Sequence, residues 1–236
     1  MGTEERRAVR AAVYQRDGDA VVAALGDLDL DRSLQVAGSA LLVALGRDAA
    51  GAGELAGRVV AALRERGWEG DEELAVELDA ARGVTEPTAL ADLPVDLEEL
   101  SELIESGDLE GGAVNLHSGE VWRTMSFDIL EDAGMESPDL DDPEEWLLVE
   151  GRGSRQGYRD MEFFIDTVED PAIADRLTIA IDGKGAFRRF RNVLERYEEV
   201  EDHWYRFSEE RRWGRARSWL AWQGYRPVPP PPFTAR

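Results

Sequence analysis

Apolar residues recur three and four positions apart from Thr3 to about Arg82, which is the period of an α-helix. Helices are therefore expected at 4–15, 19–25, 31–45, 53–65 and 71–81. Ala20, Val21, Ala24 and Leu25 make one buried stripe, and Leu34, Ala37, Leu41, Ala44 and Leu45 make another. Asp31 stands where a cap for the third helix belongs, and Gly26, Gly46, Gly67 and Gly83 end or follow helices. Gly38 inside the third helix costs about 1 kcal/mol relative to alanine. The pattern predicts a small helical bundle over residues 1–83, with no fixed-period repeat that would mark a solenoid.

After residue 83 the periodicity lapses, and Pro87 and Pro94 mark residues 84–95 as a linker. A helix over 96–105 follows, with Leu97, Leu100, Leu103 and Ile104 on its apolar side. Ala113 to Leu116 and Val121 to Met125 then read as two strands of a hairpin around His117-Ser118-Gly119-Glu120. An acidic, proline-bearing loop over 131–145 separates them from a third strand, Trp146 to Val149. A hairpin alone is marginal, so the expectation is a three-stranded antiparallel meander covered by helices, an α+β domain over 96–225.

The remainder is helical. Ser154 is placed to cap a helix reaching Val168, and Asp170-Pro171 supplies a cap and a first-turn proline for the next. Gly183 turns the chain into a helix where Phe187, Phe190, Leu194 and Tyr197 share one side and Lys184, Arg188 and Arg191 share another. Val200, Trp204 and Phe207 mark a further helix, and Ser208 is expected to cap a last one through Trp213, Ala216 and Leu220. Gly224 stops it, and Pro227 to Pro232 predict a polyproline II tail over 226–236.

Charge divides the chain unevenly. Residues 1–150 hold 11 Lys+Arg against 36 Asp+Glu, whereas residues 151–236 hold 16 against 14, within a formal net charge of -23. An acidic surface opposes non-specific adhesion to nucleic acid and anionic lipid, so any polyanion would have to meet the C-terminal part alone. The absence of cysteine excludes disulfides, thiolate metal sites and cysteine catalysis. With no apolar run of membrane-spanning length and no leader pattern at Met1, a cytoplasmic protein without cofactors is expected.

Candidate chemistry is sparse. Gly151-Arg152-Gly153-Ser154-Arg155-Gln156-Gly157 follows a strand and opens a helix, where free N–H groups favour anions. Its spacing matches neither the dinucleotide fingerprint nor the P-loop, and a tight strand-to-helix turn accounts for the same residues. Arg152, Ser154 and Arg155, with Lys184, Arg188 and Arg191, form the candidate anion-binding set, set against the plainer reading of solvated or carboxylate-paired arginines. Asp27, Asp29 and Asp31 imitate a calcium loop, but Arg32 and Gly38 stand at positions that require glycine and glutamate. Asp139, Asp141, Asp142, Glu144 and Glu145 read as a solvated acidic loop, and His117 and His203 as packed or partly exposed residues. Aromatics and arginines interleave from Phe187 to Trp222, but at helical spacing the rings are core first, and Asp202–Arg206 is expected as an intrahelical ion pair.

At these residues the chain resembles the bacterial group called uncharacterised protein family 0158. The phrases are Gly153-Ser154-Arg155-Gln156-Gly157-Tyr158-Arg159-Asp160-Met161 with Phe163-Phe164-Ile165, Gly183-Lys184-Gly185-Ala186-Phe187-Arg188-Arg189-Phe190, Trp204-Tyr205-Arg206-Phe207 and Arg215-Ala216-Arg217-Ser218-Trp219-Leu220. The resemblance spans roughly Trp146 to Tyr225, with the preceding hairpin, and leaves the N-terminal helices as an extension. It implies an α+β module and brings no catalytic residues with it. The resulting expectation is a non-enzymatic interaction or regulatory module with a protein partner. The alternative is recognition of an anion, nucleotide or nucleic acid by the arginine-rich face. A third reading has the acidic front mimic nucleic acid toward a basic partner.

Overall fold

The computed structural model describes residues 3–26, 30, 33–106, 111–124, 139–140, 142–151 and 153–230. Asp27, Asp29, Asp31, Asp141 and Arg152 lie outside the described residues. The N-terminal bundle consists of α1 (Thr3–Gln15), α2 (Gly18–Gly26), α3 (Leu34–Leu45), α4 (Ala52–Arg66) and α5 (Asp71–Ala81). Of the expected stripes Val21, Leu25, Leu34, Ala37, Leu41 and Ala44 are buried, while Ala20, Ala24 and Leu45 are partly so, and Ala56, Leu63, Leu74 and Leu78 complete the core. Glu4 and Glu5 in the first turn of α1, and Asp71, Glu72 and Glu73 in that of α5, complement the partial positive charge of free N–H groups.

The expected linker carries a strand. In it β1 (Ala91–Leu93) pairs in parallel with β5 (Tyr225–Pro227), and Val228 N–H donates to Leu93 O at 2.9 Å. The start of the expected polyproline tail is thus extended sheet. Proline at the last strand position lacks an N–H, which an edge strand tolerates.

Asp96 caps α6 (Leu97–Ile104) by accepting from the Glu98 N–H at 2.7 Å. The sheet that follows is antiparallel and three-stranded, with β2 (Gly112–Asn115) between β3 (Val121–Arg123) and β4 (Trp146–Val149). The Asn115 carboxamide oxygen accepts from the His117 and Ser118 N–H groups, which fixes the hairpin turn and leaves His117 exposed. Val114 and Val149 bury one face against Leu100 and Leu103 of α6, with Ala216 and Leu220 from the last helix.

Among the described residues after β4 the helices are α7 (Arg155–Ile165), α8 (Pro171–Ile181), α9 (Ala186–Leu194) and α10 (Glu198–Trp222), followed by β5. Asp170 caps α8 as expected, accepting from the Ala172 N–H at 2.8 Å. Ser154 does not cap α7. Its own backbone is helical, at φ -76° and ψ -3°, and it makes no side-chain cap bond. A capping hydroxyl reaches the first-turn amides from an extended backbone instead. The two expected terminal helices are one helix of 25 residues, so Ser208 lies in its interior. Neither glycine nor proline separates Phe207 from Ser208, and nothing local interrupts the hydrogen-bond ladder.

Candidate anion-binding face

Helix α9 is anchored by Ala186, Phe190 and Leu194, which meet Met161, Phe164, Leu177, Ile181 and Phe207 in an aromatic-rich core. Phe164 packs edge-on against Phe190 at 6.2 Å and Trp204 at 5.1 Å between ring centroids. Half-buried His203 joins the same cluster, 5.1 Å from the Phe164 ring. These rings serve the core, as their helical spacing predicts, whereas Phe187, Tyr205 and Trp222 of the same interleaved stretch are exposed.

Arg189 is structural. Its guanidinium donates to the carbonyls of Ala180 at 3.0 Å, Asp182 at 2.6 Å and Gly183 at 3.3 Å, and also to that of Lys184. The last carbonyls of a helix lack intrahelical partners, so one planar cation closes the α8–α9 turn. Tyr158 supports the same turn, with its hydroxyl donating to Ile181 O at 3.1 Å.

The other cations of the turn and of α9 point outward. Lys184, Arg188 and Arg191 are exposed, as are Ser154 and Arg155 at the start of α7. Among the described residues no carboxylate lies in salt-bridge range of Arg155, Lys184, Arg188 or Arg191. A side chain added at Gly157 would meet the Phe187 ring at 3.1 Å, so the starts of α7 and α9 lie against one another. Arg191 stands one turn beyond Phe187, near Tyr205 of α10, where it opposes the upward push that burial and Glu201 give the tyrosine hydroxyl. One continuous flank thus joins α7, α9 and α10, with Phe187 43% and Tyr205 52% exposed beside the cations. Two depressions lie on the bundle, around Arg16, Asp19 and Arg47 and around Leu45, Arg82 and Val84, and the candidate cations line neither.

The arginines of α10 behave in the opposite way. Residues two apart on a helix point about 200° apart, so Arg215 and Arg217 face opposite neighbours. Arg215 enters the C-terminal core and grips Asp160 of α7 at 3.1 and 2.8 Å, together with Glu105 at the C-terminal cap of α6. Arg211 reaches the same Asp160 at 3.0 Å while lying over the rings of Trp68 and Phe163, at 5.3 and 5.2 Å. Arg217, 1% exposed, turns to the bundle and donates to both oxygens of Glu77 at 3.0 Å, to Gln35 at 3.2 Å and to Ser39 at 2.7 Å. Glu210 caps α3 from a distance, accepting from the Gln35 and Val36 N–H groups at 2.8 and 3.2 Å, and pairs with Arg66 at 2.9 Å. It takes the role that Ser33 leaves unfilled, since that residue makes no side-chain cap bond.

These buried ion pairs are the residues a search of the sequence for exposed cations passes over. The expected Asp202–Arg206 ion pair is not formed: Arg206 Nε donates to the Asp202 backbone carbonyl at 3.0 Å. Among the described residues no cluster of His, Asp or Glu is arranged to hold a metal ion, and no helix is long and apolar enough to cross a membrane.

Burial pushes the Glu105 carboxyl up, against the Coulombic pull and hydrogen bond of Arg215, and burial likewise pushes Glu209 up, against Arg6 and Arg10. A carboxyl raised in the folded state binds its proton more tightly there than in the unfolded chain. Its stabilising contribution is therefore complete below the unfolded value and is lost as pH rises through the folded one. Glu105→Gln removes that loss. Denaturation of the two proteins side by side is expected to show the variant gaining on the parent as pH is raised through the carboxyl range. A variant that falls behind with rising pH contradicts this.

Comparison with known proteins finds a family likeness over the C-terminal part. Residues 130–230 match the model described as uncharacterised protein family UPF0158. A UPF0158 protein of Pseudomonas aeruginosa is 28% identical over 133 residues, which cover 54% of this chain and 82% of that protein. No solved structure matches the chain.

Proposed function

Because its C-terminal part matches the model of the uncharacterised protein family UPF0158, a description that assigns no activity, we propose a function from the geometry: the protein is a non-enzymatic cytoplasmic interaction module that binds an acidic surface on another protein. The contact is the flank of α9, with Lys184, Arg188 and Arg191, extended by Arg155 of α7 and by the rings of Phe187 and Tyr205. The observation that supports it is the exposure of four cations without a carboxylate partner among the described residues, in a chain with 50 Asp+Glu against 27 Lys+Arg. Arginine beside partly exposed aromatic rings is the composition that concentrates binding energy at protein interfaces.

A protein partner is favoured over nucleic acid because a polyanion must approach against the field of a chain carrying -23, whereas an acidic patch on a protein is local. The test is affinity capture of the tagged full chain from its own cells at low and moderate salt, with and without nuclease. A protein that survives nuclease and weakens with salt is the expected result. Recovery of nucleic acid that nuclease removes would instead favour recognition of a polyanion by the same cations.

A further inference from the structure

The two parts of the chain have separate apolar cores. One is built wholly from Val9 to Leu78, the others from Leu93 to Leu220 and from Met161 to Phe207. Two tryptophans cross the boundary: Trp213 of α10 packs on both the bundle core and the sheet core, and Trp68, from the α4–α5 turn, packs on the aromatic core, 5.2 Å from Phe207 between ring centroids. The other contacts across the boundary are largely polar. Arg217 meets Glu77, Glu210 meets Arg66 and the start of α3, Arg6 meets Glu209 at 2.8 Å, and Arg10 meets Glu98 at 2.8 Å. Gly70 and Gly214 touch backbone to backbone where α10 crosses the start of α5, and a Cβ on either would overlap the other strand of chain. The segment 83–87 that joins the two parts is exposed throughout.

Separate cores, a largely polar seam spanned by two tryptophans and an exposed tether are the anatomy of two bodies that recognise each other, not of one continuous core. We propose that the face of α10 formed by Phe207, Glu210, Gly214 and Arg217 is a docking site whose resident ligand is the chain's own N-terminal bundle, held in cis and able to leave as a folded body about residues 83–87. The site takes a helix N-terminus on Glu210, a carboxylate on Arg217, an indole on Phe207 and a glycine backbone on Gly214. Undocking uncovers a charged face of α10 distinct from the flank of α9, so this device stands independently of the partner assigned to that flank.

The test keeps the whole protein. A protease recognition sequence replaces residues 84–87, the chain is cut, and the two pieces are followed by gel filtration and circular dichroism. The pieces are expected to travel together. Arg217→Ala and, separately, Trp68→Ala are each expected to weaken their association by about 100-fold or more, with the helical signal of both pieces retained. Pieces of the unsubstituted protein that separate at once would overturn the proposal, because the seam would then not be a binding site. So would pieces that lose helical signal on separating, or that stay together in both variants.

Discussion

Asp160→Ala is expected to lower the stability of the protein by about 3–5 kcal/mol, the usual cost of removing one partner from a buried ion pair. Asp160 is 2% exposed, and its two oxygens accept three hydrogen bonds from Arg211 and Arg215. Without it Arg215 keeps only Glu105, a carboxyl that burial already pushes toward its neutral form. The variant therefore leaves a buried cation poorly compensated where α6, α7 and α10 meet. Chemical denaturation followed by far-ultraviolet circular dichroism measures the change, and a loss below about 1 kcal/mol would show that the cation finds water or another partner.

The second large effect is expected at Arg217. Arg217→Ala leaves the Glu77 carboxylate, 7% exposed, and the acceptors of Gln35 and Ser39 without their shared donor. Its expected cost is again about 3–5 kcal/mol. Arg217→Lys is expected to recover less than half of that loss, because a single ammonium cannot span two carboxylate oxygens, a carboxamide and a hydroxyl as a planar guanidinium does. Full recovery by lysine would mean that charge alone matters there, and the fork geometry would lose its role.

These two residues also show why the sequence is legible in some places and opaque in others. Stripes such as Leu34, Ala37, Leu41 and Ala44 announce the bundle, because one helix face is apolar and the other is wet. Asp96 and Asp170 announce helix starts because the cap bond is local, two residues away. Helix α10 obeys neither rule. It runs between the bundle and the C-terminal sheet and helices, so Glu210, Arg215 and Arg217 are buried on different sides, each satisfied by residues far off in the sequence. A pattern reading assigns such charges to solvent, since nothing local reveals the distant Glu77 or Asp160. The same limit hid β5, whose partner β1 lies more than a hundred positions away in a stretch with the punctuation of a linker.

The candidate face was legible to a different degree. The helical wheel separates Lys184, Arg188 and Arg191 from Phe187, Phe190, Leu194 and Tyr197, and the structure places the cations outside and buries Phe190 and Leu194, but half-buries Tyr197 and leaves Phe187 exposed. Arg189 was not separable from its neighbours by sequence, because its role as a cap for the carbonyls of α8 depends on how the Gly183–Gly185 turn folds back. Adjacent arginines thus divide: Arg189 completes the fold, and Arg188 remains available for a partner.

That division is tested most directly by reversing the charge of the available pair. Arg188→Glu with Arg191→Glu is expected to leave the thermal midpoint within a few degrees of the parent, since surface substitutions usually change stability by about 0.5 kcal/mol or less. The same variant, used as bait in affinity capture, is expected to lose the partner that the parent retains. A midpoint that collapses would place these arginines among the structural ones. A partner retained in full by the stable variant would contradict the α9 flank as the binding surface.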